Sequence, residues 1–205
     1  MRIPESIRSI DFEGGHPALD FVNTVHDWTA AEPRDFWSTP AELLAWHQHR
    51  GLLATGTADA FARLAPAIAR RLLGQARDAR RELHRLFAGI AANGRTGKGA
   101  LRWLDDALAA VAGFRHLESN GEGVSWAIRP DPSRPASLLA PVLFAAGDLL
   151  TTAHFERIRA CPPPDGCGWL FLDTSRNGRR VWCSMKTCGN AAKVRRFRER
   201  AQGPA

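Results

Sequence analysis

The stretch 161–188 limits what this chain can fold into more than any other. It reads CPPPDGCGWLFLDTSRNGRRVWCSMKTC and holds all four cysteines of the 205 residues, as two close pairs, Cys161/Cys167 and Cys183/Cys188. Between the pairs, apolar Trp169, Leu170, Phe171 and Leu172 are followed by the turn signal Asn177-Gly178 and then by Val181-Trp182, a pattern that predicts a β-hairpin. After Cys188, the run GNAAKVRRFRERA predicts a helix with five basic residues. Two cysteine pairs carried on a hairpin and a helix start form the pattern of a structural zinc site. Four thiolates complete a tetrahedron around the ion and leave no position open for catalysis. The expectation is one structural Zn2+ on Cys161, Cys167, Cys183 and Cys188.

Two disulfides are the competing reading. A four-cysteine shell also suits iron, which makes an iron–sulfur centre a lesser alternative. The N-terminal MRIPESIRSIDFEGG has neither an apolar core nor a cleavage pattern of a signal peptide. This predicts a cytoplasmic chain with reduced thiols, where close cysteine pairs favour metal. Because the ligands must be thiolates, loading releases protons and couples to folding of the segment.

Charge concentrates in the same part of the chain. Residues 157–205 carry 11 Lys and Arg against Asp165, Asp173 and Glu199, formally +8, while the first 156 residues sum to −1. Four thiolates around a zinc ion reduce the segment to about +6. A near-neutral body joined to a basic, metal-stapled unit predicts a polyanion partner. The candidate nucleic-acid contacts are Arg176, Arg179, Arg180, Lys186, Lys193, Arg195, Arg196, Arg198 and Arg200. On the predicted helix, Val194, Phe197 and Ala201 form an apolar stripe expected to pack on Trp169, Phe171 or Trp182. Lys193, Arg196 and Arg200 lie on one flank of it, and Arg195 and Arg198 on the other. Gly189 is expected to let backbone N–H groups reach the thiolates. A solvated terminus with no partner is the plain alternative.

The run CGWLFLDTSRNGRRVWCSMKTCGNAAK resembles the CGNR zinc finger, a bacterial module of the treble-clef kind. Phe171, Asp173, Arg180, Trp182, Cys183, Met185, Cys188, Gly189, Asn190 and Lys193 fall where that pattern places them. Ala191 stands where the family name has Arg, and PPPDG makes the first cysteine spacing one residue longer than the pattern. LDFVNT, residues 19–24, resembles the opening of the ABATE domain, the usual N-terminal partner of that finger. The resemblance implies a stress-induced bacterial transcription regulator that binds DNA.

The expected fold class is mainly α (α+β): a helical domain with a small β-sheet over 1–156, then a treble-clef-like four-cysteine finger over 157–205. Residues 9–29 predict a strand, a Gly-Gly turn and a helix that would place Asp20, Asn23 and His26 on one face. These three are candidate ligands for a small-molecule effector. Thr39-Pro40-Ala41-Glu42 is a capping box that starts a helix ending near Gly51. Residues 57–92 predict a helix broken at Pro66, with its arginines on a solvated face. Residues 101–111 predict a further amphipathic helix. Residues 114–118 and 124–129 predict a hairpin that joins the first strand in a sheet. Residues 136–159 predict a helix bent at Pro141 that runs directly into Cys161.

No apolar run approaches the roughly 18 residues of a membrane span. There is no Gly-rich phosphate loop, no HExxH and no nucleophile elbow, so the expectation is not an enzyme. The alternative function is an adaptor that binds RNA or a protein. Exposed Trp169, Phe171 or Trp182 would offer RNA bases a stacking platform. A homodimer reading two half-sites would compensate for the weak binding of a single module, but no dimer seam is legible.

Overall fold

The computed structural model describes residues 3–201 except Thr29, Asn120, Glu122, Ala153, Pro164 and Asp165. The predicted turn residues Asn120 and Glu122, and Pro164 and Asp165 of the longer cysteine spacing, therefore lie outside the described residues. The fold is mainly α with small two-stranded sheets. Helices α1 (Glu5–Arg8), α2 (Pro17–Val22), α3 (Pro40–His49), α4 (Thr55–Ala62), α5 (Pro66–Asn93), α6 (Lys98–Val111), α7 (Ala140–Thr151) and α8 (Asn190–Ala201) alternate with three antiparallel pairs. The pairs are β1 (Val25–His26) with β2 (Arg34–Asp35), β3 (Arg115–Ser119) with β4 (Val124–Ile128), and β5 (Ile158–Ala160) with β6 (Leu170–Leu172). No helix among the described residues is long and apolar enough to cross a membrane.

Helix α2 lies at the centre. Ala18, Leu19, Phe21 and Val22 are fully buried, as expected of a short helix that is apolar on nearly every side. It packs against α5 and α7. Phe21 meets Trp37 and Trp46 in an aromatic cluster that also takes in His47. The long helix α5 presents Leu72, Ala76, Leu83, Leu86, Phe87 and Ile90 to this core, a period close to 3.6. Helix α3 starts as its sequence predicts: the Thr39 hydroxyl accepts from the Glu42 N–H, and the Glu42 carboxylate accepts from the Thr39 N–H.

Several expectations are corrected. The helix expected within 9–29 is α2 and ends at Val22, so Asn23 caps it and His26 belongs to β1; Asp20, Asn23 and His26 share no helix face. The break expected at Pro66 is present: α4 ends at Ala62, and Pro66 opens α5 at a position where its missing N–H costs nothing. Pro141 likewise sits in the first turn of α7. The chain leaves the helix after Thr151, and residues 158–160 are extended. The β3–β4 hairpin stands alone, and no strand precedes α2 among the described residues.

Arg80 and Arg77 are not on a solvated face. Arg80 is buried and makes a two-pronged pair with Asp35, at 2.9 and 2.7 Å, while also donating to the Thr24 hydroxyl at 2.9 Å. The Arg77 Nε lies 3.0 Å from the same carboxylate. Burial alone would raise the Asp35 carboxyl, but the Arg80 guanidinium outweighs it and holds the group below its ordinary value. This cluster fixes the segment between α2 and α3 onto α5.

Candidate metal centre and basic helix

Strands β5 and β6 form the base of the C-terminal unit. Arg159 and Phe171 pair across them, and two residues further the Cys161 N–H donates to the Trp169 carbonyl at 2.8 Å. The connection between them is the knuckle that carries Cys161 and Cys167. Gly166 is required there. A Cβ on it would lie 2.5 Å from the Cys161 sulfur and 2.8 Å from the Pro162 carbonyl oxygen. Gly168 adopts a φ of +72°, which lets its N–H reach the Cys161 carbonyl at 3.1 Å.

Leu170 and Leu172 turn their backbone groups to the free edge of β6, where the body of the protein satisfies them. The Asn23 side chain donates to the Leu170 carbonyl at 2.8 Å and accepts from the Leu170 N–H at 2.9 Å. The Leu172 N–H donates to the Gly14 carbonyl at 2.9 Å, and the Trp169 indole N–H donates to the Val25 carbonyl at 3.0 Å. The amide of Asn23 thus stands in for a neighbouring strand. Asp20 is engaged in the same region. It accepts from the Gly14 N–H at 2.9 Å and pairs with Arg50 at 2.8 Å. Its carboxyl is raised by burial, against the opposing pull of Arg50. His26 is exposed, its ring 6.0 Å from that of Trp169. A groove of about 570 Å3 between α6 and α7, lined by Leu101, Leu108 and Leu150, contains none of these three residues.

After β6 the chain does not return as a strand. Asp173 ties the 173–180 loop instead, accepting from the N–H groups of Ser175 at 2.9 Å and Arg180 at 3.0 Å. Burial would raise this carboxyl, but these hydrogen bonds hold it below its ordinary value. The Arg180 guanidinium donates to the Trp182 carbonyl at 2.8 Å and to the Cys183 carbonyl. It also lies over the Phe171 ring and 3.5 Å from Glu13. Arg180 therefore braces the turn before Cys183 rather than facing a polyanion. Trp169 and Phe171 are buried, and Trp182 is half-buried.

The sulfur atoms of Cys161, Cys167, Cys183 and Cys188 all lie within 4.8 Å of one another. Cys167 and Cys183 are 3.4 Å apart and Cys183 and Cys188 3.8 Å, far beyond the roughly 2.05 Å of a disulfide. A tetrahedral ion with metal–sulfur bonds of about 2.3 Å sets its sulfurs about 3.8 Å apart, so this donor set fits such an ion. The thiols alone resist joint ionisation. Hydrogen bonds from Cys167 and Cys183 draw Cys161 down to about 2, which pushes Cys167 up to about 12 and raises Cys183 too. A divalent cation removes that conflict by giving every thiolate a countercharge.

A tight turn, Met185–Gly189, places Cys188 directly before α8. The N–H of Gly189 itself donates to the Ser184 carbonyl at 3.0 Å. A side chain at Gly189 would strike the Met185 thioether at 2.6 Å. Asn190 donates to the Lys186 carbonyl at 3.2 Å. The apolar stripe of α8 is not where the pattern places it: Ala192 is buried, while Val194 and Phe197 are exposed. Lys186, Lys193, Arg196, Arg198 and Arg200 are exposed, and their side chains make no ion pair or hydrogen bond among the described residues. Arg195 is exposed on the same helix, and Arg176 lies in the 176–178 turn with Arg179 directly after it.

Sequence reasoning missed Gly166, the Glu13 partner of Arg180 and the docking role of Asn23. The glycines on both sides of Cys167 were the one local signal for the first. The Asn23 contact spans 147 residues and leaves no local trace.

The CGNR zinc finger family model matches residues 157–201. The ABATE family model, described as "Putative stress-induced transcription regulator", matches residues 15–153. No curated protein matches the chain. Asn23 and Leu170, joined by two hydrogen bonds, thus lie one in each matched segment, and the chain belongs to the ABATE family, with its four clustered cysteines in a CGNR zinc finger.

Proposed function

We propose that this protein is a non-enzymatic, cytoplasmic transcription regulator. One structural zinc on Cys161, Cys167, Cys183 and Cys188 holds a treble-clef-like finger against duplex DNA. Four thiolates at tetrahedral spacing suit zinc and close its shell, so the ion serves folding and not chemistry. The observation that carries the reading is that Lys186, Lys193, Arg196, Arg198 and Arg200, on and just before α8, are exposed and make no ion pair among the described residues. Cations left free on an element fixed by a metal centre can neutralise phosphates without first breaking internal pairs. RNA recognition by stacking has less support, since Trp169 and Phe171 are buried. Asp20 and Asn23 hold the structure together, and no effector site is proposed on them.

Two measurements test the reading. Metal analysis of protein purified without chelator should give one zinc per chain; a content well below one removes the foundation. Binding of mixed-sequence duplex DNA should weaken with salt. A Lys193/Arg196/Arg200→Ala variant should flatten the log–log salt slope by roughly 0.9 for each phosphate it no longer neutralises. An unchanged slope would place the DNA on another surface.

A further inference from the structure

Helix α8 carries its apolar ridge on the side away from its support. Ala192 is its buried residue. With 3.6 residues per turn, the line through Asn190, Val194, Phe197 and Ala201 lies roughly 170° round the helix from Ala192. Phe197 is 73% exposed and Val194 48%. An amphipathic helix that stabilises its own domain does the reverse and turns the ridge inward. The ridge is also bracketed by charge, with Lys193, Arg196 and Arg200 along one side and Arg195 and Arg198 along the other.

We propose that this ridge is the base-reading surface of the helix, with Phe197 and Val194 lying against thymine C5-methyl groups in the major groove. The inference rests on the DNA-binding reading above and adds which face points at the bases and what it detects. The major groove is about 12 Å wide and admits a helix of about this diameter. Its walls are phosphate on both sides, matching two rows of cations. The thymine methyl is the apolar group that base edges offer within it. A second copy of α8 is a poor occupant, because face-to-face packing would bring like-charged rows together. A lipid surface shares the charge preference, but an interfacial helix presents a broad apolar face over many residues. Here the ridge has two large side chains.

The test uses full-length, zinc-loaded protein and two probes. One is a short duplex of alternating adenine and thymine; the other is the same duplex with deoxyuridine for thymine, which removes the methyl alone. Wild type should prefer the thymine duplex by about fourfold for each methyl group covered. Val194→Ala/Phe197→Ala, which trims only two exposed side chains, should bind both duplexes alike with an unchanged salt slope, and Phe197→Ala alone should lose part of the preference. The Lys193/Arg196/Arg200→Ala variant should lose affinity for both and keep the ratio. Equal binding of the two duplexes by wild type, or a preference that survives Val194→Ala/Phe197→Ala undiminished, overturns the inference and leaves the helix on DNA. Failure to bind either duplex overturns the DNA reading itself. Retention on phosphatidylserine vesicles that Phe197→Ala abolishes, without thymine discrimination, assigns the ridge to lipid instead.

Discussion

Asn23→Ala should be among the most damaging single changes outside the cysteines. The Asn23 side chain is buried and satisfies both backbone groups of Leu170, at 2.8 and 2.9 Å, on the edge of β6 that faces the body. Alanine leaves a buried N–H and a buried C=O without partners, and water has no access, since Leu170 is 1% exposed. Each orphaned group costs about 1–3 kcal/mol, so the pair costs roughly 2–6 kcal/mol. With a urea m-value of about 2 kcal/mol/M, the midpoint falls by roughly 1–3 M. Asn23→Asp is the sharper variant. It keeps the acceptor for the Leu170 N–H but sets a carboxylate oxygen against the Leu170 carbonyl, so it should cost at least as much. Asn190→Ala is the control, because Asn190 is exposed and its side chain bonds, among the described residues, to the Lys186 carbonyl at the surface. Urea unfolding followed by tryptophan fluorescence, in saturating zinc, checks all three. A midpoint within about 0.25 M of wild type for Asn23→Ala, at unchanged m, would refute the view that this amide docks the finger strand.

His47 should make stability depend on pH. It is fully buried, its Nδ1–H donates to the Leu43 carbonyl at 2.8 Å, and burial lowers its pKa to about 4. The unfolded chain takes up a proton near pH 6.5 that the native state refuses, so the contribution is full above that pH and is lost as pH falls towards 4. It amounts to about 3 kcal/mol; His47→Leu should flatten the profile over that window, and parallel profiles for variant and wild type would refute it. The two finger glycines should separate cleanly. Gly166→Ala drives a methyl into Cys161 and its backbone and should lower metal affinity roughly tenfold or more, while Gly189→Ala meets the movable end of Met185 and, at 3.2 Å, the Trp182 ring and should cost less; competition with a zinc chelator reads both, and equal effects would count against the knuckle geometry. Chelating the metal should free α8 and its turn yet leave β5 and β6 in place, since their edge bonds run to Gly14 and Asn23. Hydrogen exchange should show protection retained at 170–172 and abolished at 183–201; abolition across both would show that the ion also holds the sheet.

What the sequence discloses follows the range of the interactions. The capping box at Thr39 and the four-cysteine cluster are legible because their spacing is local. The β3–β4 hairpin is legible because its two strands alternate about a short turn. The partner of β6 is not. Asn177-Gly178 points forward to Val181-Trp182, whereas the chain pairs backward with 158–160, a segment that reads as the end of a helix. Asp173 decides the matter by closing the loop with its own carboxylate, so that no second strand forms. Arg80 looks like its five neighbouring arginines until Asp35 and Thr24 arrive from 45 and 56 residues away. The candidate site divides in the same way: the ligands are written in the spacing, and the role of Arg180 is written in Glu13, Phe171 and the carbonyls before Cys183.

The α8 stripe is the case where the pattern is right and its orientation wrong. Periodicity identifies an apolar line but not the side on which protein will be found. For α2 the distinction is idle, because it lies at the centre of a core that buries Ala18, Leu19, Phe21 and Val22 alike. Helix α8 packs chiefly on the turn that precedes it, so its support is near one end, where Cys188 enters the sulfur cluster. That support needs only a small residue at the point of packing, and Ala192 provides it. The sulfur cluster in turn is held by the knuckle between β5 and β6, and β6 by Asn23 and Gly14. A helix anchored through such a chain of bonds does not need its own apolar side for stability, which leaves Val194 and Phe197 free to serve recognition.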